Sequence, residues 1–194
     1  MKILVPAIAA SLALVACNPG EPGSANGSTD ANAAAMPDDA NMMDTNAAMM
    51  NDTGAAAPMT AQQFANTAAA SDAYEIASSR LATDKAESAE VKTFATTMVR
   101  DHGKSTADLK AAAGSLTPDP AMNAEQKANV AELQGLNGAA FDAAYSRQQL
   151  AAHQKTLAAL QGYAASGDNA GLKTFASNTA PVVQGHLTML QGMQ

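Results

Sequence analysis

From Thr60 onward the chain carries four stretches of about 25 residues in which apolar side chains recur every three or four positions. That period is the signature of an amphipathic α-helix that buries one stripe. Glycine and proline fall between the stretches, at Gly114, Pro118, Pro120, Gly135, Gly138 and Gly167. The composition agrees. Alanine, the strongest helix former, is very abundant, while tryptophan is absent and aromatic residues make up only 4%. The core must therefore be assembled from Ala, Leu, Val, Met and a few rings. An isolated helix of this kind is marginal in water, so each stripe needs a partner.

The punctuation sets approximate bounds. The first helix is expected over about 60–85, with Thr60 as its N-cap, and its stripe runs Phe64, Ala68, Ser71, Glu75, Ser78, Ala82. The second covers about 87–113 and aligns Val91, Phe94, Ala95, Met98, His102, Thr106 and Leu109, with Gly114 as the stop. A short helix fits about 123–135. The third long helix covers about 138–165 and aligns Phe141, Asp142, Tyr145, Gln149, His153, Leu157 and Leu160. The fourth covers about 168–192, carrying Leu172, Phe175, Thr179, Val182, Val183, His186, Met189 and Leu190, with a kink expected near Ser177 to Pro181. At about 1.5 Å per residue each long helix spans about 37 Å. The predicted fold class is all-α: a four-helix bundle over residues 60–194, with the short helix in a connector long enough to cross from one end to the other, the ferritin-like topology.

The N-terminal third reads differently. Lys2 precedes an apolar run, Ile3–Ala16, which ends in Leu14-Val15-Ala16-Cys17. These residues resemble the lipobox of bacterial lipoprotein signals, and Cys17 is the only cysteine in the chain. Fourteen apolar residues with Pro6 among them fall short of the roughly 20 needed to span a bilayer. An ordinary cleaved signal leaves the position of the lone cysteine unexplained. The resemblance implies removal of residues 1–16 and lipidation of Cys17, giving a lipid anchor in the cell envelope of a Gram-negative-type bacterium. Asn18, where an Asp would favour retention in the inner membrane, implies the outer membrane facing the periplasm. Residues 17–59 carry Glu21, Asp30, Asp38, Asp39, Asp44 and Asp52 but no Lys or Arg, and their only large apolar side chains are methionines. Such a segment cannot bury enough surface to offset its chain entropy, which predicts a disordered acidic tether with a typical reach of about 35 Å. Its paired methionines, Met42-Met43 and Met49-Met50, are soft thioether donors of the kind that suit copper, though the first reading of the same composition is a plain low-complexity spacer. The net charge of −7 argues against nucleic acid as a partner.

The chemistry-bearing residues lie on the predicted inner faces. The three histidines, His102, His153 and His186, each fall on a different long helix, and Glu75 falls on the remaining one. Imidazoles and a carboxylate converging in a bundle interior are the ingredients of a mononuclear metal site. The alternative is a set of buried histidines satisfied by neighbours such as Asp101, Asp142 or Tyr145. A di-iron site is excluded by spacing. It needs Glu-x-x-His on two helices, whereas Val99, Leu150 and Val183 stand three residues before the histidines. The sequence lacks a serine elbow, a phosphate loop and a Cys–His pair, so an enzyme is disfavoured.

Phe94-Ala95 with Met98-Val99-Arg100-Asp101-His102, then Phe141-Asp142 with Tyr145 and His153, then Pro181 with His186-Leu187, resemble a bacterial family catalogued as domain of unknown function 4142. The resemblance covers about residues 60–193. It implies an exported protein with a ferritin-like fold, and a polar cluster drawn from Glu75, Asp101, His102, Asp142, Tyr145, His153 and His186. It brings no activity. The leading expectation is a binding module associated with the envelope, acting on a protein partner or on a second copy of itself. The alternative is a site for a divalent metal or copper.

Overall fold

The computed structural model describes residues 59–193, so Cys17, Met42, Met43, Met49, Met50 and most of the expected tether lie outside the described residues. Five helices follow in order: α1 (Ala61–Lys85), α2 (Ala89–Ala113), α3 (Ala124–Gln134), α4 (Gly138–Ser166) and α5 (Ala170–Gly192). Their starts obey capping chemistry. Thr60 accepts from the Gln63 N–H while the Gln63 side chain accepts from the Thr60 N–H, and Asn123 and Gln126 repeat this reciprocal pair at α3. Ser88 and Asn169 cap α2 and α5. Gly114 ends α2 with φ +62°, a conformation that favours glycine. α5 runs on through Pro181. Pro181 and Ser177, whose carbonyl loses its donor, both face water. Val182 and Met189, expected among its inner residues, are 45% and 40% exposed, because each stands one residue, about 100° around the helix, before the buried Val183 and Leu190.

The side-chain bonds fix the topology. Ser71 pairs with Thr156, Tyr74 with Gln148 and Ser79 with Tyr145, so α1 and α4 run antiparallel. Asp72 pairs with His102 across the α1–α2 hairpin. The connector between α2 and α4 descends along α1. Gln62 donates to the Thr117 carbonyl, the Asp119 N–H to Asn66, Gln126 to the Ala70 carbonyl, and Lys85 to the carbonyls of Gln134 and Leu136. α2 and α4 are therefore parallel, joined by one crossover that carries α3. This is the ferritin-like order expected from the length of the connector. Among the described residues, no helix is long and apolar enough to cross a membrane.

The core is divided into two apolar halves. One gathers Phe64, Leu109, Leu160, Tyr163, Leu172 and Phe175, with Phe64 stacked on Tyr163 at 3.9 Å between ring centres. The other gathers Val91, Phe94, Met98, Leu133, Phe141 and Tyr145. Between them lies a layer of buried polar side chains: Asp72, Glu75 and Ser78 from α1, His102 from α2, Gln149 and His153 from α4, and His186 from α5.

Candidate metal centre

All four long helices contribute to this layer. His102, His153 and His186 are 5%, 1% and 3% exposed, as the helical periods predict, and Glu75 is 1% exposed. The ring centres form a near-regular triangle, with edges of 5.7 Å (His102–His153), 5.6 Å (His102–His186) and 5.3 Å (His153–His186). One ligating nitrogen from each ring lies within 4.8 Å of the others.

Each ring already spends one nitrogen on an oxygen of the protein. His102 Nδ1 lies 2.8 Å from Asp72 Oδ1. His153 Nδ1 lies 2.9 Å from the Gln149 carbonyl, one turn earlier on its own helix. His186 Nε2 lies 3.1 Å from Asp101 Oδ2, whose other oxygen holds the Arg100 guanidinium. A carbonyl can only accept, and carboxylates do so when ionised, so these three contacts assign the protons to the outward-facing nitrogens. The nitrogens left over carry lone pairs. His153 Nε2 and His186 Nδ1 face each other at 3.3 Å, and His102 Nε2 has no partner among the described residues.

The electrostatics follow from burial. Burial pushes His153 down to about 3, with the neighbouring histidines adding to the effect. It also lowers His186, against the opposing pull of Asp101. His102 is different. Burial is the largest single influence and acts downward, but the hydrogen bond from Asp72 and the charges of Glu75, Asp72 and Asp101 together hold it above the usual histidine value. Glu75 is raised to about 7 by burial, which outweighs the opposing influence of His102. The Arg100 hydrogen bond holds Asp101 below the ordinary aspartate range.

Two of the supporting residues expected from the sequence do not join the centre. Asp142 accepts the N–H groups of Glu87 and Ser88, at 3.1 and 2.8 Å, while Glu87 accepts the Ala139 N–H at 3.0 Å. The pair ties the α1–α2 turn to the start of α4. Asp142 stands one residue after Phe141, about 100° around the helix from the core, so it reaches the turn and not the interior. Tyr145 is fully buried, but its hydroxyl pairs with Ser79 at 2.7 Å and its ring stacks with Phe141 in the adjoining apolar half. Asp101 does join, through His186. Glu75 lies beside the trio, with Oε1 3.7 Å from His153 Nδ1.

Asp72 and Gln149 are the members that the sequence reading missed as partners. A signal for Asp72 was present. In an antiparallel hairpin, residues equidistant from the turn lie at the same height, and Asp72 and His102 stand fifteen residues on either side of Glu87.

The chain matches the family described as domain of unknown function DUF4142 over residues 44–193. It belongs to that family. The match begins earlier than the resemblance read from the bundle motifs, and so takes in Met49-Met50 and the end of the acidic segment. No curated protein and no solved structure matched the chain. The function of this DUF4142 protein must therefore be argued from its own residues.

Proposed function

We propose that this DUF4142 protein is a lipid-anchored envelope protein whose bundle binds one divalent transition-metal ion between His102, His153 and His186. The carrying observation is the facing pair of lone pairs, His153 Nε2 and His186 Nδ1, 3.3 Å apart in a buried site. Both outward nitrogens are committed as donors, so neither inner nitrogen holds a proton for the other. Two lone pairs at that distance repel unless a cation lies between them.

The distances fit a metal. Arms of about 2.0–2.1 Å in a tetrahedron put neighbouring nitrogens about 3.4 Å apart and ring centres about 5.2–5.3 Å apart. The observed ring-centre edges are 5.3–5.7 Å. The hydrogen bonds that the rings donate to Asp72, Asp101 and the Gln149 carbonyl are the outer contacts that orient ligating histidines. Imidazole donors suit Zn²⁺ and its neighbours in the series, and soft thioethers are not needed. The partner-binding reading rests on surface composition alone, whereas the metal reading rests on three converging nitrogens.

The test is metal analysis of protein purified without chelator and then dialysed against Zn²⁺. One equivalent per chain is expected, falling below about a tenth in His102→Ala, His153→Ala or His186→Ala. Less than about a tenth of an equivalent in reloaded wild type overturns the reading. Fractionation of a Cys17→Ser variant tests the anchor separately. Wild type should sediment with membranes and the variant should not.

A further inference from the structure

The three imidazoles account for three arms of the centre, and unpartnered polar atoms stand beside them. Glu75 Oε1 and Oε2, Gln149 Oε1 and His102 Nε2 are buried without a hydrogen-bond partner among the described residues. Such an atom costs about 1–3 kcal/mol when its need goes unmet. With His102 Nδ1–H given to Asp72, the histidine member of this set is a lone pair.

The orientation of Gln149 is not free. Ser78 Oγ gives its proton to the Tyr74 carbonyl at 2.9 Å, so only a lone pair is left for the glutamine. Gln149 must therefore present its NH₂ to Ser78, at 3.2 Å, and turn Oε1 the other way. Gln149 Oε1 is an acceptor in search of a donor, and an ionised Glu75 adds two more.

Glu75 also stands too far out to be a fourth ligand as it is placed. Its nearest approach to the rings is the 3.7 Å contact with His153 Nδ1, the nitrogen facing away from the lone-pair trio. The set of ligating atoms within 4.8 Å of one another comprises the three histidines without Glu75. A buried carboxylate beside the trio, outside the ligating set, and an amide oxygen in need of a donor are acceptors of the kind that hold the protons of a coordinated water.

We propose that the fourth ligand of the metal is a water molecule whose two O–H groups are accepted by Glu75 and Gln149. This rests on the metal reading above and specifies the occupant of its remaining position. The charge balance agrees. Asp72, Glu75 and Asp101, when ionised, and Arg100 sum to a formal −2, which a divalent ion cancels and Cu(I) does not. Three histidines plus water is the arrangement that keeps one exchangeable position, unlike the closed sets of structural zinc sites. With the rings 1–5% exposed and Phe94 centred 6.2 and 6.4 Å from His153 and His186, that position takes a water-sized ligand. Glu75 and Gln149 are positioning residues, acting through the water.

The experiment uses the full chain loaded with Co²⁺, read by visible absorption and by electron–nuclear double resonance in H₂O and D₂O. Wild type should bind one Co²⁺ with the intense bands of four-coordination, and show strongly coupled protons that vanish in D₂O. Glu75→Gln should keep one Co²⁺ per chain, bind it about 10-fold more weakly and alter the exchangeable-proton couplings. The ring N–H protons also exchange but lie farther from the metal, so bound Co²⁺ without strongly coupled exchangeable protons in wild type overturns the water and leaves the histidine site standing. So does a Glu75→Gln protein whose affinity and couplings both match wild type. Failure of wild type to take up Co²⁺ overturns both readings. The wild-type proton couplings decide the matter even if the variant does not fold.

Discussion

Replacing Glu75 by glutamine in the metal-free protein should change how stability depends on pH, because the centre holds two groups that oppose each other. Glu75 is raised to about 7 in the fold, against about 4.5 when unfolded. Between those values the folded chain holds a proton that the unfolded chain has released. Its contribution is fully present below about 4.5 and is lost as pH rises towards 7. His153 is lowered to about 3 from 6.5. In its window the unfolded chain holds the extra proton, so its contribution is fully present above about 6.5 and is lost as pH falls towards 3. The two windows overlap from about 4.5 to 6.5, where the slopes have opposite signs.

One proton of difference is worth about 1.4 kcal/mol per pH unit, and so about 3 kcal/mol across the two units of overlap. In wild type the two contributions nearly cancel, and those of His186, lowered like His153, and His102, raised like Glu75, also oppose each other. Glutamine has nearly the size of glutamate and does not titrate. The variant should therefore lose about 3 kcal/mol more than wild type between pH 6.5 and 4.5. Urea unfolding in EDTA at pH 4.5, 5.5 and 6.5 measures this directly. Curves that stay parallel across the three pH values would refute a raised Glu75, and with it the claim that its carboxylate is sealed in the bundle.

Three further substitutions test the surrounding structure. Asp142→Ala removes the acceptor for the Glu87 and Ser88 N–H groups. It should cost about 1–2 kcal/mol in thermal unfolding while leaving metal uptake unchanged. Phe64→Ala deletes the ring stacked on Tyr163 in the apolar half beyond the centre. A loss of about 3–5 kcal/mol in denaturant unfolding is expected. Gly171→Ala would place a Cβ 2.5 Å from the Ala112 carbonyl oxygen, where the start of α5 crosses the end of α2. Backbone must shift to admit it, so a lower Tm, equivalent to about 1–3 kcal/mol, is expected despite the better helix propensity of alanine.

What the sequence reveals here is azimuth. The helical period placed His102, His153, His186 and Glu75 on inner faces, and all four are buried. The helix ends fall within two residues of their expected places, and Thr60 and Gly114, read as cap and stop, act through their own local backbone. Partnership is a different quantity, since it needs height along the bundle as well as angle around each helix. Tyr145 has the right angle, four residues after Phe141, but the wrong height, so it joins the apolar half and not the histidines. Asp72 has both, yet reads as a polar flank when the stripe is drawn through Ser71 and Glu75. Only counting outward from the turn at Glu87 sets it opposite His102. The three outer hydrogen bonds show why this matters for chemistry. Without Asp72, the Gln149 carbonyl and Asp101 to hold the outward protons, each imidazole could adopt either tautomer. Three buried histidines would then be packing residues. The partners turn three lone pairs towards one point, and those partners belong to the tertiary fold.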